Sequence, residues 1–186
     1  MRIIALGHKA RQGKTTAAQF IARSLPGRGM IWGFSDNIRT VARVTEGMTV
    51  KDAPLLQRVG VEYRKDDPDV WIKAWAATIE DQQPLDWVVI PDLRFRNEAR
   101  YLHAQGATLV KVVRLHHGEP FVADDRPSDH ISEIDLDLWD QWDLIITAHD
   151  TIQLKAKLAV ALLIGPIALE AHHRPLPESG AQPETA

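Results

Sequence analysis

The chain has 186 residues, 45% hydrophobic and 25% charged, with a formal net charge of -3 and no cysteine. That is the length of one domain with a sizeable core and the composition of a globular protein. It excludes disulfides, cysteine-liganded zinc and thiol catalysis, and it offers no broad basic face for long nucleic acid. No apolar run approaches the roughly 20 residues of a membrane span. The first one, Ile3-Ile4-Ala5-Leu6, is too short for a signal peptide, so a cytoplasmic location without a membrane partner is expected.

Short runs dense in Val, Ile and Leu alternate with amphipathic stretches, the pattern of strands joined by helices in a parallel sheet. Strands are predicted over residues 3–6, 30–34, 87–90, 108–113 and 144–147, with a first helix over 16–25. Asp67 followed by Pro68 fits an N-cap with proline at the first helical position, opening a helix through Trp71, Trp75 and Ile79. Those tryptophans repeat at helical spacing and read as core or cleft wall. Gly106 closes a helix over about 97–105, and Asp150 with Gln153 opens a last helix reaching about residue 163. Beyond it the chain turns to Pro, Glu, Gly, Gln and Ala, and 171–186 is expected to be a disordered tail.

Gly7-His8-Lys9-Ala10-Arg11-Gln12-Gly13-Lys14-Thr15-Thr16 lies between the first strand and the first helix. That is where a Walker A loop must sit for backbone N–H groups and a helix N-terminus to face an anion. ATP contacts are expected from Arg11, Gln12, Gly13, Lys14, Thr15 and Thr16. Lys14 would bridge the β- and γ-phosphates as a catalytic cation, and the Thr15 hydroxyl would ligand Mg²⁺. The usual signature places glycine six residues before the lysine, where this chain has His8. Either the loop is one residue longer, or the turn is made through Gly7. An ordinary strand-to-helix turn containing Gly-Lys-Thr is the plainer reading.

Further segments carry a resemblance. The loop from Lys9 to Lys14, Gly33-Phe34-Ser35-Asp36-Asn37-Ile38-Arg39, Leu55-Leu56-Gln57-Arg58-Val59-Gly60 with Asp67-Pro68-Asp69-Val70-Trp71, Pro91-Asp92-Leu93-Arg94-Phe95-Arg96-Asn97-Glu98-Ala99 and the later His130-Ile131-Ser132-Glu133 stand in this order. Together, over about residues 2–163, they resemble the phage-type deoxynucleoside monophosphate kinases. The resemblance implies a three-layer α/β P-loop fold around a central, mostly parallel five-stranded sheet. It implies a kinase domain over about 1–170, with an acceptor-nucleotide region near 35–80 and a mobile lid near 115–133. It also implies ATP, Mg²⁺ and a deoxynucleoside monophosphate as reactants, in a host cytoplasm if phage-encoded; oligomeric state stays open, a homodimer included.

On the acceptor side, Lys9, Asp36, Arg39, Arg64, Asp92, Arg94, Asn97 and Glu98 are the expected substrate contacts. Asp92 ends a buried strand at the ligand-binding edge of a parallel sheet, where it would hold Mg²⁺ through water, bind the acceptor or cap a helix. Arg39 suits a phosphate, though Arg43 on the same helix makes a surface charge row an alternative. Arg94 and Glu98 also fit a solvated ion pair at helical spacing. In the polar stretch after Arg114, Arg114 and Arg126 are the cations available to close over the phosphates, and His116, His117 and His130 read as polar loop histidines rather than a metal site. A kinase of another small molecule, or a nucleotide-binding module without turnover, would share the loop and the sheet.

Overall fold

The computed structural model describes residues 1–82, 84–123 and 128–164; the tail predicted at 171–186 lies outside them. The strands are β1 (Arg2–Gly7), β2 (Gly29–Ile31), β3 (Trp87–Leu93), β4 (Thr108–His116), β5 (Glu119–Pro120) and β6 (Leu144–Ala148). The helices are α1 (Lys14–Ser24), α2 (Phe34–Glu46), α3 (Ala53–Asp66), α4 (Val70–Asp81), α5 (Arg96–Ala104), α6 (Ile131–Ile134) and α7 (Thr151–Ile164), with a 3-10 turn over Asp135–Leu138. Five strands pair in parallel in the order β2-β3-β1-β4-β6. The short β5 returns antiparallel on the end of β4, through a turn in which His117 and Gly118 both have positive φ. The α/β class and the parallel five-stranded sheet agree with the sequence pattern.

Strand alternation sets the layers. Ile4 and Leu6 of β1 bury against α1 and α7, packed with Ala17, Ile21 and Leu158. Ile3 and Ala5 face the opposite layer, which holds Phe34, Ile38, Trp71, Trp75 and Leu102. Period-two burial on both faces explains why these strands read as unbroken apolar runs. Each fully buried Ile or Leu stabilises the fold by about 1.5–3 kcal/mol. Trp71 and Trp75 are core residues whose indole N–H groups donate to the carbonyls of Gly60 and Trp32.

At two boundaries a neighbouring element takes the residues expected there. The helix placed at Asp67-Pro68 starts at Val70, because Asp67 instead closes α3, its N–H donating to Tyr63 O and its carboxylate accepting from Asp69 N. The second strand ends at Ile31 rather than Phe34, because Phe34 is the first residue of α2. Its ring is buried in the core from the helix rather than from the strand.

Candidate active site

Strands β1 and β3 end side by side, and the loops leaving their carboxyl ends form the site. The β1–α1 loop covers residues 8–13. His8 has φ +89, Arg11 +56 and Gly13 +92. His8 therefore takes, without lengthening the loop, the left-handed backbone that glycine would adopt freely at its place. A non-glycine residue held there carries strain of about 1–2 kcal/mol, which surrounding contacts must offset.

Those contacts come from the 3-10 turn and α6. His8 Nε2 lies 3.2 Å and Lys9 Nζ 3.1 Å from the Asp137 carboxylate. Burial and the nearby charge of Lys111 push the His8 imidazole down to about 4, against the pull of Asp137, so the ring is neutral. Glu133, 6% exposed, accepts from the Ala10 N–H at 2.7 Å, and Arg94 Nη1 lies 3.2 Å from both of its oxygens. Arg94 Nη1 also donates to His8 O at 2.9 Å. The Gln12 side chain, likewise buried, donates to Phe121 O at 2.8 Å and accepts from Arg114 N at 2.6 Å. Its carbonyl oxygen and one of its two side-chain N–H groups are thereby engaged.

The N-terminus of α1 differs from those of α2, α3, α5 and α7, although α4 also starts without a side-chain cap. Helices α2, α3, α5 and α7 begin on carboxylates that accept backbone N–H groups: Asp36 and Asp92, Asp52, Glu98 and Asp150. Helix α1 begins on Gly13 with no side-chain cap and no acidic residue in its first turn. Its first amides and the positive end of its dipole face the cleft, which is the arrangement that binds anions. Lys14 lies at the same point, its ammonium folded back onto His8 O at 3.0 Å and onto Lys9 O.

One cleft of about 660 Å³ runs from this loop to α3, and a second of about 380 Å³ lies on the other side of the loop. Of the residues expected at the site, Arg11, Gln12, Gly13, Lys14, Thr15, Thr16, Arg39, Arg64, Asp92, Arg94 and Glu98 line the larger cleft. Asp36 does not, because its carboxylate folds back to accept Gly33 N at 2.7 Å and pairs with Arg39. Burial holds it above the usual carboxylate range; the Gly33 amide opposes this, and the charge of Asp92 adds to it. Lys9 points to Asp137. Asn97 turns to the start of α4, donating to Pro68 O and Asp69 Oδ1, so it reads neither base nor sugar in this arrangement. Arg114 lines the smaller cleft with His149, Asp150 and Leu154, its guanidinium 4.6 Å from the centroid of the Phe121 ring. Arg126 lies outside the described residues.

The acidic residues at the larger cleft are already engaged. Asp92 accepts from Phe34 N at 3.0 Å and Ser35 N at 2.7 Å, so it caps α2 across the sheet edge rather than its own helix. A Cβ on Gly33 would lie 2.1 Å from Asp92 Oδ1, so glycine is required for this approach. Glu98 accepts from Arg94 N, Phe95 N and Arg64 Nη2. Complete burial pushes its carboxyl up to about 7, opposed by the charge of Arg64 and by the two amides. Arg64 itself lies 4.0 Å from the centroid of the Phe95 ring. Among the described residues no group of three or more His, Asp or Glu could hold a metal by itself, and no described helix is long and apolar enough to cross a membrane.

Glu133, Asp137 and Gln57 are site residues that sequence reasoning passed over. Glu133 was legible only as the end of His130-Ile131-Ser132-Glu133; nothing local indicates its reach to Ala10.

Comparisons with known proteins add little. No protein-family model matches the chain, and no curated protein does. Among solved structures it is similar to the shikimate kinase of Aquifex aeolicus, at 13% identity and a TM-score of 0.47, covering 89% of this chain and 99% of that one. A likeness of that degree carries no argument about activity or substrate.

Proposed function

We propose that this chain is a P-loop kinase that transfers the γ-phosphoryl group of ATP to a deoxynucleoside 5'-monophosphate. The observation that carries the reading is the uncapped N-terminus of α1 with Lys14, opening into the cleft that Arg39, Arg64 and Arg94 line. The phosphates of the donor fit the amides of residues 11–15, where the ammonium of Lys14 exchanges the His8 and Lys9 carbonyls for phosphate oxygens. The smaller cleft, with Arg114, would take the nucleoside end of the donor.

Thr15 is exposed at the mouth of the loop, and its hydroxyl would hold Mg²⁺ together with phosphate oxygens. Asp92 keeps lone pairs beyond its two amide bonds and would accept from a metal-bound water. The metal supplies charge neutralisation between the phosphates. The acceptor monophosphate would lie against Arg39, Lys51 and Arg94, as arginine matches phosphate with paired N–H groups. An acceptor oxygen forms the new bond to Pγ as the bond from Pγ to the β,γ-bridging oxygen breaks, releasing ADP. That oxygen is largely anionic at neutral pH, so no general base is required, and the cations act by positioning and charge stabilisation.

The test is ADP release from ATP across a panel of deoxynucleoside and ribonucleoside monophosphates and non-nucleotide hydroxyl acceptors. Nucleotide-dependent turnover that vanishes in Lys14→Ala, with its melting temperature retained, is expected. Turnover restricted to non-nucleotide acceptors would overturn the acceptor assignment. ATP-dependent thermal stabilisation without turnover would make the chain a binding module.

A further inference from the structure

The wall of the larger cleft opposite the phosphate loop is one face of α3. Ala53, Leu56, Gln57, Gly60, Val61 and Arg64 line it, at the three- and four-residue spacing of a single helical stripe. Only two of these are polar. Arg64 is engaged by Gly60 O at 2.9 Å, by Glu98 at 2.9 Å and by the Phe95 ring. Gln57 is half-buried, and among the described residues its side chain makes no hydrogen bond. The half-buried Leu56, Val61 and Phe95 line the same cleft and give it apolar surface.

A carboxamide at this wall of the cleft, beside the Phe95 ring, suits a flat ligand that presents a donor and an acceptor side by side. The cations nearby, Arg39 and Lys51, suit phosphate instead. Resting on the kinase reading above, we propose that Gln57 is the residue that reads the base edge of the acceptor and so selects a nucleotide over a baseless sugar phosphate. Its side chain offers one carbonyl acceptor and two N–H donors. That set pairs with N3–H and O4 of thymine or, with the same atoms, N1–H and O6 of guanine. Turned over, it pairs with the amino group and ring nitrogen of adenine or cytosine. The residue therefore selects for the presence of a base edge and discriminates weakly among bases.

The experiment compares kcat and KM for dTMP, dGMP and the baseless 2-deoxyribose 5-phosphate, with ATP as donor. Leaving a base edge unpaired in a closed site costs about 10- to 100-fold, so Gln57→Leu should lower kcat/KM for both nucleotides by that factor. The loss should fall mainly on KM, with the baseless acceptor unchanged. Gln57→Glu supplies acceptors only. Guanine presents N1–H and N2–H side by side, whereas thymine presents one N–H between two carbonyls. The dGMP to dTMP ratio of kcat/KM should therefore rise about 10-fold or more. Equal losses on all three acceptors in Gln57→Leu, or an unchanged ratio in Gln57→Glu, would overturn the proposal. Wild-type turnover of nucleotides with both variants unaffected removes Gln57 alone, whereas no wild-type turnover of any monophosphate removes the kinase reading and the proposal with it.

Discussion

Replacing His8 by glycine tests whether the β1–α1 loop is held by a neutral, half-buried imidazole. In the fold the ring is pushed from its ordinary 6.5 down to about 4 by burial and Lys111, with Asp137 and Lys9 the other charges facing it. The unfolded chain binds the proton first, so the stability linked to this ring is complete above pH 6.5 and is lost as pH falls toward 4. Between pH 6.5 and pH 5 that is 1.5 pH units at about 1.36 kcal/mol each, or about 2 kcal/mol. Glycine does not titrate, and it accepts φ +89 without steric cost. Against this it loses the contact with Asp137 and gains about 0.5–1 kcal/mol of unfolded-chain entropy. At pH 8 the glycine variant should thus be close to wild type or slightly weaker. The difference should move by about 2 kcal/mol in its favour at pH 5. Urea unfolding followed through the six tryptophans at both pH values measures it. Parallel losses in the two proteins would show that the ring charges freely in the fold, and the account of the loop would fail.

Gly33→Ala places a Cβ 2.1 Å from Asp92 Oδ1 and should drive that carboxylate off the Phe34 and Ser35 amides, costing about 1–3 kcal/mol in thermal unfolding. An unchanged melting temperature would refute the capping of α2 by Asp92. Glu133→Ala leaves the buried Ala10 N–H without that acceptor and removes the carboxylate beside Arg94, for an expected loss of about 3 kcal/mol. Urea midpoints check this, and a change under about 0.5 kcal/mol, ordinary for a surface substitution, would refute the role assigned to Glu133.

The elements governed by local periodicity were legible in the chain. The strands at 3–6, 87–90 and 108–113 lie within β1, β3 and β4, because residues buried on both faces must be apolar whatever lies beside them. The start of α4 differs from the expectation at Asp67 because the fold uses Asp67 to end α3, a role that its N-cap chemistry does not indicate. Gly13, Lys14 and Thr15 could be read together as one candidate site because their chemistry is contiguous in sequence.

The partners of the acidic residues were not readable, since a carboxylate's role depends on which N–H groups the fold brings to it. Asp92 sits 58 and 57 residues from the two amides it caps, and Glu133 sits 123 from Ala10. Asn97 and Glu98 are adjacent in sequence yet take different partners, one Pro68 and Asp69, the other the buried contact with Arg64. The sequence by itself determined the α/β class and the approximate places of five strands, through their apolar runs, and set Gly13 and Lys14 between the first strand and the first helix. Tertiary structure alone decided which side chains remain uncommitted at the cleft, because hydrogen bonds over long sequence separations had taken the others.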